Sequence, residues 1–79
     1  MKVRIKFNSD LKDKYAAGVN DGIVELSLRS NSRIKDVFEL LHIGDGEVGF
    51  VLLNDKKVQK DERLSDQDVI HIFSLVAGG

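Results

Sequence analysis

The sequence contains no cysteine, proline or tryptophan among its 79 residues. Without cysteine the chain has no disulfide, no thiolate nucleophile and no cysteine-ligated metal site. Its two histidines, His42 and His71, are too few and too isolated to indicate a metal centre, and we predict that the chain binds no metal. Any reactive sulfur would therefore have to come from another molecule.

Long apolar runs and an excess of one charge are also lacking. No segment approaches the roughly 20 apolar residues of a membrane span, and the first ten residues alternate in charge where an export signal needs an unbroken apolar stretch. Twelve basic and 13 acidic side chains leave a net charge of −1, without the basic excess of nucleic-acid-binding proteins. We therefore predict a soluble, cytoplasmic protein that binds neither membranes nor nucleic acid.

Two segments in the first third alternate apolar and polar residues, which is the period of a half-buried strand. They are KVRIKF, with Val3, Ile5 and Phe7 on one face, and IVELSL, with Val24, Leu26 and Leu28 on one face. We predict that the two strands pair. The polar stretch between them is predicted to contain a short helical turn around residues 11–17.

The middle of the chain has the spacing of an amphipathic helix. Apolar residues recur at i, i+3, i+4 and i+7: Ile34, Val37, Phe38 and Leu41. Asn31 or Ser32 is predicted to cap the first turn with its side chain, and Gly44 to take the left-handed conformation after the last turn.

The remaining segments predict a hairpin and a final strand. FVLL and KKV flank the turn residues Asn54 and Asp55, and VIHIF follows after a polar link. The order of elements predicts an α+β domain with a mixed sheet of four to five strands and one main helix on one face, which is the pattern of the β-grasp, or ubiquitin-like, fold. We assign residues 1–79 to one such domain, with residues 74–79 as a flexible C-terminal tail.

The helix can cover only one face of the sheet, so the alternation along the strands divides the apolar residues between two faces. Ile70, Ile72, Val51 and Leu53 are assigned to the inner face. The outer face then carries an apolar partner-binding patch of Phe50, Leu52, His71 and Phe73. His71 is interpreted as a surface contact without a catalytic role. A single bulge, or a loop that covers these residues, would remove the patch.

The end of the chain, LSDQDVIHIFSLVAGG, resembles the end of the MoaD/ThiS-like sulfur carriers. Their pattern is Leu-x-Asp-Gly-Asp-x-Val, a strand, and an apolar tail that ends in Gly-Gly, and it is matched here by Leu64, Asp66, Asp68, Ile70, Gly78 and Gly79. KVRIKFNSDLKD and VLLNDKKV resemble the family's first strand and hairpin. Gln67 replaces the usual glycine, and Ser74 and Leu75 stand where many members have two prolines.

The resemblance implies a protein that catalyses no reaction itself. An adenylating enzyme of the ubiquitin-activating type would use ATP to activate the carboxylate of Gly79, and a sulfur donor would displace AMP to leave a thiocarboxylate. A sulfur-accepting synthase subunit would then use the sulfur in molybdopterin or thiamine synthesis, or in tRNA thiolation. The chain itself would bind no cofactor, because ATP is used by the activating partner.

The tail residues Leu75, Val76, Ala77, Gly78 and Gly79 suit this chemistry. Glycine has no Cβ, so a Gly-Gly end can enter a narrow channel and reach ATP inside another enzyme. Two alternatives remain open from the sequence. The chain could be a ubiquitin-like modifier joined to lysines through Gly79, or a β-grasp interaction module in which the two glycines are incidental.

Overall fold

The structure is a computed structural model that describes residues 1–19 and 21–75. Its elements in chain order are β1 (Lys2–Phe7), α1 (Ser9–Tyr15), β2 (Ile23–Ser27), α2 (Ile34–Leu41), a 3₁₀ turn (Asp45–Glu47), β3 (Val48–Leu53), β4 (Lys56–Val58) and β5 (Val69–Ser74). The strands form one sheet in the order β2-β1-β5-β3-β4. Strands β1 and β5 run parallel, and the other neighbours are antiparallel. The predicted mixed sheet of the β-grasp fold is confirmed.

The two central strands, β1 and β5, carry the most deeply buried side chains. Val3, Ile5, Ile70 and Ile72 are all fully buried, and the parallel register places Ile5 beside Ile70. Their neighbours along each strand point to the opposite face, as period-2 alternation requires. The predicted strands and their inner face are therefore confirmed.

Helix α2 covers the inner face with its predicted apolar stripe, in which Ile34, Val37 and Phe38 are buried. The predicted caps, Asn31 or Ser32, are wrong. The chain before the helix runs extended beside residues 62–64, because the amide of Leu64 donates to the carbonyl of Ser32 at 3.0 Å. The helix consequently starts later, and its first turn is closed by the carboxylate of Asp36, which accepts a hydrogen bond from the Arg33 amide at 2.7 Å.

The other end of α2 also differs from the prediction. His42, with a φ of 57°, takes the left-handed conformation that we predicted for Gly44. Gly44 instead has an extended backbone and begins the 3₁₀ turn. Helix α1 also begins two residues before the predicted turn and ends at Tyr15, two residues before its predicted end.

The turn before β5 keeps a left-handed residue although the usual glycine is absent. Gln67 has a φ of 70°, and its amide donates to the carbonyl of Lys2 at 2.6 Å. The carboxylate of Asp66 accepts from the Lys2 amide at 2.7 Å, which lowers the pKa of Asp66. Asp68 is buried and accepts from Asn54 and Ser65. The two bonds to Lys2 tie the turn to the start of β1, and those of Asp68 tie it to Asn54 and Ser65. Together they offset the strain of about 1 kcal/mol at a non-glycine residue.

The hairpin between β3 and β4 is confirmed, since Asn54 and Asp55 both have positive φ, at 49° and 71°, as a two-residue hairpin turn requires. One boundary is different from the prediction. Ser74, which we assigned to the tail, is the last residue of β5, pairs with Val48 and is buried. Within residues 1–19 and 21–75, no helix is long and apolar enough to span a membrane.

Neighbouring residues on β5 should respond differently to truncation because they lie on opposite faces. Ile72→Ala removes a fully buried side chain and should lower the free energy of unfolding by about 2–5 kcal/mol. His71→Ala, the matched control on the outer face, should lower it by about 1 kcal/mol or less. Urea unfolding of both variants checks this, and the reverse order of stabilities would show that the two faces are wrongly assigned.

Candidate functional site

The outer face of the sheet carries the four residues that we define as the aromatic patch: Phe50, Leu52, His71 and Phe73. The rings of Phe50 and Phe73 stack with their centroids 4.4 Å apart and an interplanar angle of 9°. His71 stacks on Phe73 at 4.1 Å. Phe50 is 39% exposed, and the other three side chains are half-buried. The structure therefore brings the four predicted residues together at the surface.

The register between β3 and β5 builds this patch. Phe50 lies opposite Phe73, and Leu52 lies opposite His71, so two cross-strand pairs share one face. A bulge does interrupt β3, but it falls between Val48 and Phe50 and leaves the register from Phe50 onward intact. The assignment of these residues to the outer face is therefore confirmed, while their role in binding a partner stays a prediction.

Cationic side chains border the aromatic patch. The ammonium of Lys57 lies 5.8 Å from the centroid of the Phe50 ring, and Lys6 pairs with His71 in the β1–β5 register. Burial lowers the pKa of His71, the charge of Lys6 lowers it further, and Asp55 opposes the shift. The lowered pKa favours the neutral ring of His71, which is suited to stacking with Phe73 and to contact with an apolar surface.

The aromatic patch leads directly into the residues that connect the sheet to the C-terminus. We define Ser74 and Leu75 as the tail root. The Ser74 hydroxyl accepts from the Asn8 side chain at 2.9 Å and donates to Asp10 at 3.2 Å. The Leu75 amide donates to the carbonyl of Glu47 at 3.0 Å, while the Leu75 side chain is 64% exposed. The tail root is therefore held by the Ser74 hydroxyl and by the Leu75 amide.

The predicted tail residues beyond Leu75 are Val76, Ala77, Gly78 and Gly79. They lie outside the residues that the structure describes. Their proposed roles, including activation at Gly79, stay predictions.

The Glu47 carboxylate connects three parts of the chain next to the tail root. It accepts hydrogen bonds from the Lys14 ammonium, the Tyr15 hydroxyl and, at 3.0 Å, the Gly44 amide. These donors lower the pKa of Glu47 to about 2. Burial and the bond to Glu47 raise the pKa of Tyr15, and the Glu47 carboxylate raises that of Lys14.

Sequence reasoning missed this cluster. Tyr15 and Glu47 are 32 positions apart, and no local pattern in the sequence indicates that they meet.

Comparison with models of known protein families assigns the chain to a family. The model of the ThiS family matches residues 5–79, which is nearly the whole chain. The chain belongs to the ThiS family. Members of the ThiS family and its MoaD-like relatives are small carrier proteins, and this general description applies to the chain.

Solved structures show the same fold. A Pyrococcus furiosus protein with the provisional name molybdopterin converting factor, subunit 1, is 27% identical, with a TM-score of 0.74 over 96% of this chain and 99% of that one. Small archaeal modifier protein 1 of Haloferax volcanii is 19% identical, with a TM-score of 0.74 over 95% of this chain and 98% of that one. One chain of the Helicobacter pylori complex of molybdopterin-converting factor subunits 1 and 2 is 20% identical, with a TM-score of 0.63 over the full length of both chains. No match was found among curated protein sequences.

The hydrogen bonds to the Glu47 carboxylate predict that the stability of the fold depends on pH. Because the pKa of Glu47 falls from 4.5 to about 2 on folding, its contribution is complete above about pH 4.5 and is lost as the pH falls through about 2. The stability advantage of the wild type over Glu47→Gln should therefore shrink over this interval. Urea unfolding between about pH 6 and pH 2 measures it.

Glu25→Gln is the control for this experiment, because it removes one charge from an exposed ion pair with Arg4 on the far side of the sheet. A wild-type advantage over Glu47→Gln that is the same at both ends of the interval would contradict the assignment. So would an NMR titration of the Glu47 carboxylate with a midpoint near its ordinary value of 4.5.

Proposed function

We propose that this ThiS-family chain is a sulfur carrier whose C-terminal Gly79 is converted to a thiocarboxylate. The observation that carries the proposal is the family match, which extends to Gly79. It is supported by the aromatic patch on the outer face of the sheet, which adjoins the tail root. The chain has no cysteine, so a thiocarboxylate is the form in which it would carry reactive sulfur. In this proposal the chain is a co-substrate and binds no cofactor of its own.

The chemistry requires two substitution steps on a partner enzyme. The Gly79 carboxylate, ionised at neutral pH, attacks the α-phosphorus of ATP, and pyrophosphate leaves with the broken P–O bond. A donor that delivers sulfur at the oxidation level of hydrosulfide then attacks the carbonyl carbon, and AMP leaves with the broken C–O bond. The chain supplies only a carboxylate on a thin Gly-Gly end, and the partner supplies the charges that stabilise both transition states. Because activation consumes ATP, we place the protein in the cytoplasm.

The aromatic patch is the docking surface in this proposal. Its stacked rings form an apolar centre, and Lys6 and Lys57 form a cationic margin. Aromatic centres with charged rims are typical of protein interfaces. The adenylating enzyme would dock here during activation. A sulfur-accepting synthase subunit would follow it, as suggested by the Helicobacter pylori complex of molybdopterin-converting factor subunits 1 and 2.

A ubiquitin-like modifier is the second candidate function. It is favoured by the full-length likeness to small archaeal modifier protein 1. Both functions share adenylation of Gly79, and they differ in the acceptor. Lysine-linked adducts of this chain in extracts of its host would indicate the modifier, and a free thiocarboxylate would indicate the carrier.

Deletion of Gly79 should abolish activation without affecting the fold. The residue follows the last strand, so its removal should leave the free energy of unfolding within about 0.5 kcal/mol of the wild type. Adenylation is measured as ATP–pyrophosphate exchange with the host's adenylating enzyme. Gly46→Ala is the matched control, because an added Cβ there would meet no atom within 4 Å. A Gly79 deletion variant that still supports exchange at the wild-type rate would overturn the proposal.

Phe73→Ala should weaken docking more than it weakens the fold. Truncation of an aromatic anchor at an interface often costs about 2 kcal/mol, so affinity for the adenylating enzyme should fall more than tenfold. The lost stacking on Phe50 should reduce the free energy of unfolding by only about 0.5–1.5 kcal/mol. Calorimetric titration measures the affinity, with Val24→Ala on the distant strand β2 as control. Wild-type affinity in Phe73→Ala would exclude the aromatic patch as the docking surface.

A further inference from the structure

The tail root is contacted by residues from two separate parts of the chain, residues 8–10 and residues 47–49. The side chain of Asn8 bonds both the amide and the hydroxyl of Ser74, at 3.2 and 2.9 Å. Asp10 of α1 accepts from the same hydroxyl. The carbonyl of Glu47, in the 3₁₀ turn, accepts from the Leu75 amide. The side chains of Asn8 and Asp10 thus hold the end of β5 in addition to its backbone pairing with β1 and β3.

Close packing adds a fourth constraint. A Cβ added to Gly49 would lie 2.7 Å from the carbonyl oxygen of Ser74 and 3.3 Å from the Cα of Leu75. Gly49 lies in the bulge of β3, where the backbone approaches the tail root directly. The absence of a side chain at this position lets the two backbones meet, and it restricts the paths open to Leu75.

Glu47 links the tail root to α1 through its backbone carbonyl and its side-chain carboxylate. Its carbonyl holds the Leu75 amide, and its carboxylate is held by Lys14 and by the hydroxyl of Tyr15. Tyr15 is itself anchored, because its ring stacks on Phe7 of β1 with centroids 5.7 Å apart. The position of the Glu47 backbone therefore depends on the side chains of Lys14 and Tyr15 in α1. The hydrogen bond from the Leu75 amide, the first beyond β5, depends on them in turn.

We propose that Glu47, Tyr15 and Lys14 form a clamp that fixes the direction in which the chain leaves the sheet after Ser74, and so positions the C-terminus for its activating partner. The inference rests on the proposed function for its consequence and on the described contacts for its mechanism. These three are positioning residues, because the proposal assigns them no contact with the reacting carboxylate group.

The expected effect follows from the populations of the free protein. If the clamp opens, only a fraction of molecules presents the tail in the direction that the partner accepts, and the apparent affinity falls by that fraction. Once bound, the tail is held by the partner's channel. Loss of the clamp should therefore raise the KM for this chain about threefold or more in ATP–pyrophosphate exchange and leave kcat nearly unchanged.

The test uses the full chain with two conservative variants and a matched control. Tyr15→Phe removes only the hydroxyl and keeps the ring stacked on Phe7, and Glu47→Gln removes the charge but keeps the shape of the side chain. Asp45→Asn is the control, because Asp45 lies in the same 3₁₀ turn but pairs with Lys60 and not with the tail root. Hydrogen exchange of the Leu75 amide and the KM and kcat of adenylation are measured for all four proteins.

We expect both clamp variants to show faster Leu75 exchange and a raised KM, with the exchange of the central amides of β1 unchanged, while Asp45→Asn resembles the wild type. Tyr15→Phe keeps the test valid if Glu47→Gln unfolds. If the wild type is adenylated and both variants match Asp45→Asn, the clamp is wrong and the proposed function stands. If the wild type is not adenylated at all, the proposed function fails and the positioning role with it, whereas the exchange rates still report whether the clamp exists.

Discussion

The parallel pairing of β1 with β5 is the interaction on which the rest of the structure depends. It joins the antiparallel β1–β2 pair to β5 and, through β5, to the β3–β4 hairpin, and it places Ile5 against Ile70 at the centre of the core. Because side chains alternate along a strand, the register that buries Ile72 also turns Phe73 outward. The next residue, Ser74, then meets Asn8 at the end of β1. Burial, the aromatic patch and the tail root are thus consecutive consequences of one strand pairing.

Much of this arrangement could be predicted because it depends on local periodicity. The alternation in VIHIF assigned each residue to a face, and the spacing of apolar residues located α2 on the inner side. The positions of Phe50 and Leu52 followed from the same rule, since the bulge in β3 falls before them. The family was indicated by the resemblance of the C-terminal segment, and the family match bears this out.

The features that could not be predicted are those set by contacts between distant segments. Local propensity placed the N-terminal cap of α2 at Asn31 or Ser32, but pairing of Ser32 and Ile34 with residues 62–64 moves the cap to Arg33. The tail root is similar, because Ser74 bonds to Asn8 across 66 positions and looks like a tail residue only when read locally. Glu47 is one acidic residue among 13 until the fold brings Tyr15 to it.

The proposed function requires that the C-terminus carries sulfur. Measurement of the intact mass of the protein purified from its native host, under conditions that do not hydrolyse a thiocarboxylate, tests this directly. We expect a population that is heavier by the replacement of one oxygen atom by sulfur. Fragmentation should place the added mass on Gly79. A protein that is entirely in the carboxylate form, under conditions in which the host needs the sulfur-containing product, would exclude the proposed function.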